Sequence, residues 1–231
     1  MSYRSIAIDG PSGAGKSTLA KMLANELNFL YVDTGAIYRT VGLAALRRGL
    51  DPHNGEAVAA ILPELEIRMA YADDGLQHMY LNGEDVTAAI RQHEVSGYAS
   101  AVSAIPEVRA FLLEMQRKLT RENHVIMDGR DIGTVVLPNA DLKIYLTADA
   151  DDRARRRFLE LEQRGQKADY EHVLHDVVER DRQDMEREIA PLRRAEDAVL
   201  ADTTGISLEE SFQLLLRLIR EKLPMGGNAY E

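Results

Sequence analysis

The feature that most constrains this chain is a glycine-rich octapeptide near its start, Gly10-Pro-Ser-Gly-Ala-Gly-Lys-Ser17. It fits the pattern G-x-x-x-x-G-K-[ST]. Residues 5–9 before it are mostly apolar and predict a buried strand, and residues 16–28 after it predict a helix with leucines on one face. A strand, a glycine-rich turn and a helix in this order are typical of a loop whose backbone N–H groups wrap a chain of phosphates.

Each residue type in the octapeptide has a physical reason to be there. Gly10, Gly13 and Gly15 leave room for phosphate and permit backbone angles that other residues avoid. The following helix directs its positive end at the same place. Lys16 offers a cation to the β- and γ-phosphates, and the hydroxyl of Ser17 suits Mg²⁺. We therefore expect a nucleoside triphosphate to bind here with Mg²⁺.

Apolar runs that predict strands alternate with helical patterns along most of the chain. This alternation favours an α/β fold with a mostly parallel sheet and helices on both faces. The predicted strands are residues 5–9, 30–33, 124–128, 142–147 and 198–202.

Two further stretches carry local signals. Residues 63–100 break the alternation and look like an insertion, in which runs 66–71 and 77–81 flank a turn at 72–75 and predict a hairpin; Asn82-Gly83 marks another turn. The last helix, predicted over residues 208–223, opens with a capping box of Ser207 and Glu210. Its apolar stripe predicts core packing and comprises Leu208, Phe212, Leu215, Ile219 and Leu223. The tail after Pro224 is predicted to fray.

Composition excludes several classes of protein. The 231 residues correspond to about one and a half average domains. With no cysteine, the chain has no disulfide framework, thiolate zinc site, iron–sulfur cluster or cysteine nucleophile. A net charge of −10 argues against a nucleic-acid polymer as partner. No apolar run approaches the ~18 residues of a membrane span. We expect a cytoplasmic monomer that does not bind membranes.

Arginines and carboxylates follow two of the predicted strands. Arg39 closes Asp33-Thr-Gly-Ala-Ile-Tyr-Arg39, and Arg130 lies in Asp128-Gly-Arg-Asp-Ile-Gly-Thr134. Ligands of open α/β sheets bind beyond the carboxyl ends of strands, and guanidinium groups bind phosphate in a fork. Either Asp33 or Asp128 suits a Mg²⁺-bound water or an acceptor contact, with the other a turn residue. Tyr38 is a candidate neighbour of a base or sugar.

These residues leave several functions open. The chain lacks the Asn-Lys-x-Asp of guanine readers. A kinase of a small acceptor fits, and the acceptor could be a nucleotide or another molecule such as shikimate. A binding module that turns over ATP slowly is the alternative from another class. The arginine run at 153–157 suits a solvated helix face as well as function, and the charges at 179–187 suit surface ion pairs.

The motifs in their order and spacing resemble those of bacterial cytidylate kinases. The resemblance runs from about residue 6 to residue 223 and includes the octapeptide, the two Arg-containing segments and Ile189-Ala-Pro-Leu192. It implies transfer of the γ-phosphate of ATP to CMP or dCMP. It also implies a three-layer P-loop kinase core with a five-stranded parallel sheet (residues 1–38 and 119–231), an inserted nucleoside-monophosphate-binding domain with a small antiparallel sheet (39–118), and a short helical lid (150–190).

The resemblance also implies roles for individual residues. The ATP phosphates would be held by Gly10, Pro11, Ser12, Gly13, Ala14, Gly15, Lys16, Ser17 and Thr18, with Arg157 as a lid contact and Ser17 on Mg²⁺. The catalytic group would be Lys16, Asp33, Arg130 and Arg187. The acceptor would be bound by Thr34, Tyr38, Arg39, Ser100, Arg109, Arg130, Asp131, Arg180, Asp184 and Arg187. Among these, Ser100, Arg109 and Asp131 resemble a cytosine-reading set, and Arg180 and Asp184 the sugar contacts.

Overall fold

The structure is a computed structural model that describes residues 3–71, 77–163 and 165–224. The chain divides into two compact units, one formed by Met1–Tyr31 with Asn123–Glu231 and the other by Val32–Glu122. The predicted turn at 72–75 and the tail beyond Pro224 lie outside the described residues. Within the described residues, no helix combines the length and apolar composition that crossing a bilayer requires.

The first unit is built on a parallel sheet. Its strands are β1 (Ser5–Asp9), β2 (Leu30–Asp33, whose last two residues belong to the second unit), β6 (Val125–Gly129), β7 (Leu142–Thr147) and β8 (Val199–Asp202). Their order is β2-β6-β1-β7-β8, so that the strand leading into the octapeptide is central. The predicted α/β fold with five parallel strands is confirmed.

The helices of the first unit are α1 (Lys16–Leu27), α6 (Ala150–Gln163), α7 (Tyr170–Glu186) and α8 (Leu208–Lys222). Apolar side chains of α1 and α8 pack with those of the sheet in one core cluster, as Leu23 and Leu215 illustrate. The capping box of Ser207 and Glu210 is present at the start of α8. The prediction that Leu208 belongs to the core stripe was wrong, because its side chain stands at the first turn of the helix and is 50% exposed.

The second unit combines helices with a small antiparallel sheet. It contains α2 (Thr34–Arg47), α3 (Gly55–Ile61), β3 (Ile67–Tyr71), β4 (Gln77–Leu81), β5 (Glu84–Asp85), α4 (His93–Val102) and α5 (Pro106–Glu122). The sheet has the order β3-β4-β5, which confirms the predicted strand pairing. The Asn82-Gly83 turn is also confirmed: both residues have left-handed φ angles, 51° and 85°.

Candidate active site

The glycine-rich octapeptide connects the central strand β1 to α1. Gly10 has a φ of 153°, and a Cβ atom there would lie 1.9 Å from the carbonyl oxygen of Leu146. Gly15 caps α1 in the left-handed region with a φ of 82°. The backbone of Gly10 therefore runs too close to β7 for any side chain, and the loop turns directly into the N-terminus of α1, where an anion is favoured.

Lys16 and Ser17 lie at the start of α1, and their side chains form hydrogen bonds with different residues. Lys16 is buried, and its Nζ donates to the carbonyl oxygen of Pro11 at 2.7 Å, which folds the ammonium back over the loop. Burial, and next the charge of Arg130, lower the pKa of Lys16. Ser17 Oγ donates to Asp128 Oδ2 at 2.8 Å. The charges of Asp128, Asp184 and Asp9 act on the pKa of Lys16 in the opposite direction, and a phosphate chain in the loop would add negative charge that favours the ammonium form.

Asp128 lies on β6, the strand next to β1 in the sheet, and places a carboxylate beside the loop. Besides the hydrogen bond from Ser17, its Oδ1 accepts from the hydroxyl of Tyr31 at 2.9 Å. Mg²⁺ is usually held by one or two protein groups together with phosphates and water, so the pair of Ser17 and Asp128 fits this ion. Among the described residues, no cluster of three or more acidic or histidine side chains is arranged to hold a metal by itself.

Asp9, at the end of β1, was not singled out by the sequence. Its two carboxylate oxygens accept hydrogen bonds from the backbone N–H groups of Ile132 and Gly133, each at 2.7 Å. Burial raises the pKa of Asp9 to about 6 although these two N–H groups favour its ionised form. The contacts fix the turn after β6, which carries the predicted site residues Arg130 and Asp131. A signal was available in the sequence, since a carboxylate directly follows three apolar residues, 6–8, of a predicted buried strand.

Four predicted acceptor-binding residues form two charge pairs in the first unit. Arg130 Nε donates to Asp184 Oδ2 at 2.6 Å, and Arg187 Nη2 lies 3.4 Å from Asp131 Oδ1. Burial opposes ionisation of Asp184, but nearby guanidinium groups, led by that of Arg130 and including Arg180, hold its pKa below the ordinary range. Cations and carboxylates that lie far apart in the sequence are thus collected at one place.

Arg187 is positioned by an unusual turn after α7. Its Nε donates to the carbonyl oxygen of Ala190 at 2.6 Å. Ala190 has a φ of 48°, in the left-handed region that residues with a Cβ seldom adopt. The strained turn holds the guanidinium against Asp131, and backbone strain of this kind concentrates at functional sites.

The arginine run at the start of α6 divides into different environments. Arg153 is buried: it forms a two-pronged pair with Asp181 of α7 and donates to the carbonyl oxygen of Ser12, in the glycine-rich loop, at 2.8 Å. Arg157, the predicted ATP contact, instead pairs with Glu160 on its own helix at 2.9 Å, and both side chains are about 40% exposed. Arg153 thus contacts the glycine-rich loop in this structure, and the contact of Arg157 with ATP stays a prediction.

In the second unit, the start of α2 presents Asp33, Thr34 and Arg39. Asp33 caps the helix by accepting from the N–H of Ala36 at 2.9 Å, and its Oδ2 lies 3.6 Å from Arg39 Nη2. The Nε of Arg39 is buried and has no hydrogen-bond partner in the described part of the chain. A buried guanidinium N–H without an acceptor is costly, so this atom is suited to an anionic ligand.

Arg109 joins two other predicted acceptor-binding residues in the same unit. Its guanidinium lies over the ring of Tyr38, 5.7 Å from the centroid, and its Nη1 donates to the carbonyl oxygen of Ser103 at 3.2 Å. Ser103 in turn donates through Oγ to the carbonyl oxygen of Ser100 at 2.7 Å. Helices α2, α4 and α5 thus bring Tyr38, Ser100 and Arg109 into one connected group.

Comparison with known proteins agrees with these features. A family model described as cytidylate kinase matches residues 6–221. The cytidylate kinase of Caldicellulosiruptor bescii is 54% identical over 213 residues, covering 92% of this chain and 94% of the relative. That of Carboxydothermus hydrogenoformans is 49% identical over 217 residues, covering 94% and 97%. The crystal structure of an uncharacterized protein from Eubacterium ventriosum has a TM-score of 0.52 at 12% identity, covering 94% of this chain and 98% of that one, a likeness of fold alone.

Proposed function

This chain belongs to the cytidylate kinase family, and we propose that it transfers the γ-phosphate of ATP to CMP or dCMP, releasing ADP and CDP or dCDP. The observation that carries the proposal is the buried Nε of Arg39, a guanidinium donor without an acceptor on a helix whose start also presents Asp33 and Thr34. A glycine-rich loop alone fits any user of ATP. A second cationic site for phosphate is what a phosphorylated acceptor requires.

We assign the ATP phosphates to the loop of residues 10–18, with Lys16 on the β- and γ-phosphates. Ser17 and Asp128 would hold Mg²⁺, Ser17 as a ligand and Asp128 through its hydrogen bond to the Ser17 hydroxyl. When bound, Mg²⁺ neutralises charge on the phosphate oxygens. The hydrogen bond from Lys16 Nζ to the carbonyl oxygen of Pro11 supports this assignment, since it holds the ammonium against the loop.

We assign the phosphate of the acceptor to Arg39, Arg130 and Arg187. Two of these arginines are held by carboxylates, Arg130 by Asp184 and Arg187 by Asp131, so their positions are set before a ligand arrives. The attacking phosphate oxygen is already ionised at neutral pH, so the reaction needs no strong base. Catalysis then consists of in-line positioning and of stabilising charge on the transferring group.

We further propose that residues 1–38 and 119–231 act as the ATP-binding core and residues 39–118 as the acceptor-binding domain. The compact second unit, Val32–Glu122, supports a separate acceptor domain. Residues 150–190 would form a lid whose closure excludes water from the reacting phosphates. We expect the protein to act as a cytoplasmic monomer on free nucleotides, and the net charge of −10 supports free nucleotides over nucleic-acid polymers.

An acceptor panel tests the reaction directly. We expect ATP·Mg²⁺ with CMP or dCMP to give rapid ADP formation, UMP a weak response, and AMP, GMP and shikimate none. A coupled assay of ADP with each acceptor gives the result, with ATP alone as the control. Turnover that does not depend on any acceptor, by folded protein that binds ATP, would contradict the proposal and favour an ATP-binding module.

Replacing Asp131 by asparagine is expected to lower the preference for CMP over UMP about tenfold or more. In our assignment the Asp131 carboxylate accepts from the cytosine amine, whereas the uracil carbonyl would face it as a second acceptor; such a mismatch costs about 1–3 kcal/mol. The readout is the ratio of kcat/KM for CMP to that for UMP. Any loss of activity caused by a shift of Arg187, the ion-pair partner of Asp131, affects both acceptors and cancels in this ratio.

Asp176→Asn, an exposed change on α7, is the matched control and should leave the ratio as in wild type. If the ratio is equally unchanged in Asp131→Asn, then Asp131 does not read the base.

A further inference from the structure

A buried glutamine interrupts the apolar face of β4. The residues of this strand alternate between buried and half-buried, and the buried ones are Gln77, Met79 and Leu81. Met79 and Leu81 are what the inner face of a strand next to a core requires. Gln77 is 8% exposed, and a buried amide is costly unless it is hydrogen-bonded.

Both ends of the Gln77 side-chain amide form hydrogen bonds with the backbone of a single residue, Asp33. Its Oε1 accepts from the backbone N–H of Asp33 at 2.8 Å, and its Nε2 donates to the backbone carbonyl oxygen of Asp33 at 3.2 Å. Nε2 also lies 3.2 Å from Met79 Sδ. The side chain thus pairs with Asp33 as a neighbouring strand would, through one donor and one acceptor, although 44 residues separate the two.

Asp33 is the residue from which α2 begins. Its side chain caps the helix, and its backbone sets the direction in which the helix leaves. Thr34 and Arg39 follow within the first two turns. Gln77 lies on β4 and holds both backbone groups of Asp33. The small antiparallel sheet therefore helps to fix the direction in which α2 leaves Asp33.

We propose that Gln77 is a positioning residue for the acceptor phosphate, and that the small sheet fixes the start of α2 through it. The inference rests on the proposed function, because it takes Arg39 and Thr34 as acceptor contacts. Gln77 itself acts through Asp33, and no direct contact with a nucleotide is part of the proposal. A role in folding alone is the competing explanation, and it makes different predictions.

Gln77→Leu separates the two explanations. Leucine suits the buried face beside Met79 and Leu81, so the protein should still fold, but the N–H and C=O of Asp33 lose their partner and Tm should fall by about 2–10 °C. Without the two hydrogen bonds, the start of α2 is free to shift, and displacements of about 1 Å at such positions can cost up to 100-fold in activity. We expect KM for CMP to rise about 5- to 50-fold and KM for ATP to change less than about twofold. The Kd for CMP, measured by calorimetry without ATP, should rise in parallel.

Two further variants complete the test. Gln77→Glu keeps the acceptor for the Asp33 N–H but places an oxygen against the Asp33 carbonyl, so KM for CMP should again rise. Thr87→Val removes a different hydrogen bond of the same sheet, from the N–H of Met79 to Thr87 Oγ1 at 3.0 Å, and should leave KM for CMP unchanged.

The outcomes distinguish this inference from the proposed function. If wild type neither binds nor phosphorylates CMP, the proposed function fails and the inference fails with it. If wild type is active on CMP but folded Gln77→Leu keeps the wild-type KM and Kd for CMP, only the role of Gln77 is overturned. A rise in KM for ATP equal to that for CMP, or the same defect in Thr87→Val, would also overturn it.

Discussion

Replacing Lys16 by methionine is expected to lower kcat with CMP by about 1000-fold while the protein stays folded. A preorganised donor aimed at charge that develops in the transition state contributes about 100- to 1000-fold to the rate when it is removed alone. Lys16 is buried at the start of α1, and its ammonium is held against the phosphate loop by the carbonyl oxygen of Pro11. Methionine keeps the length of the side chain and removes the charge.

The stability of this variant is what makes the test informative. Burial, and next the charge of Arg130, lower the pKa of Lys16, so the charged ammonium is less favourable in the ligand-free folded protein than in the unfolded chain. Since the folded pKa is the lower one, this penalty is present below the unfolded pKa near 10.5 and therefore at neutral pH. Removing the charge relieves it and offsets the lost hydrogen bond to Pro11, so Tm should stay within about 3 °C of wild type.

Lys21→Met, on the same helix and only partly buried, is the control and should keep wild-type kcat. Lys16→Arg should also be slow, because the longer planar fork does not replace a compact ammonium in a closed loop. Steady-state kinetics and thermal unfolding provide both measurements. A kcat within tenfold of wild type in folded Lys16→Met would show that Lys16 does not stabilise the transferring phosphate.

The parts of the fold that could be predicted from the sequence are those that depend on residues close together in the chain. The octapeptide, the apolar strand before it, the helix after it and the capping box at Ser207 each depend on neighbours within a few residues, and the structure has all of them. Leu208 shows the limit of such patterns: a residue in register with an apolar stripe still lies in solvent when it stands at the first turn of its helix.

The contacts that organise the site could not be predicted, because they join residues far apart in sequence. Arg130 and Asp184 are separated by 54 positions, and Asp9 reaches Ile132 across 123. The sequence marked Arg130 by its place after a predicted strand and Asp184 through a family resemblance, but their pairing follows only from the packing of α7 near the end of β6. Asp9 and Gln77 are polar residues among the apolar residues of buried strands. This pattern indicates that each side chain has a hydrogen-bonding partner, but it does not show which residue the partner is.

The pairing of Arg130 with Asp184 leads to the second large effect. Arg130→Met is expected to lower kcat/KM for CMP about 1000-fold or more, since an arginine that neutralises a transferring phosphoryl group is worth about 10³–10⁵ in rate. It should also lower stability by on the order of 2 kcal/mol, because the Asp184 side chain is only 10% exposed and would keep a buried charge without its main partner. In a domain of this size that loss lowers Tm by about 4–8 °C.

The double variant Arg130→Met with Asp184→Asn separates the two effects. Removing both charges leaves no unpaired carboxylate, so Tm should recover most of the loss. Activity should not recover, because asparagine cannot replace the guanidinium at the phosphate. Asp184→Asn alone is the matched control, since it loses the same carboxylate and keeps Arg130. If the double variant is as active as Asp184→Asn, Arg130 serves only to hold Asp184; if it is far slower, Arg130 acts on the phosphate itself, and its ion pair with Asp184 is the means by which the folded chain places it there.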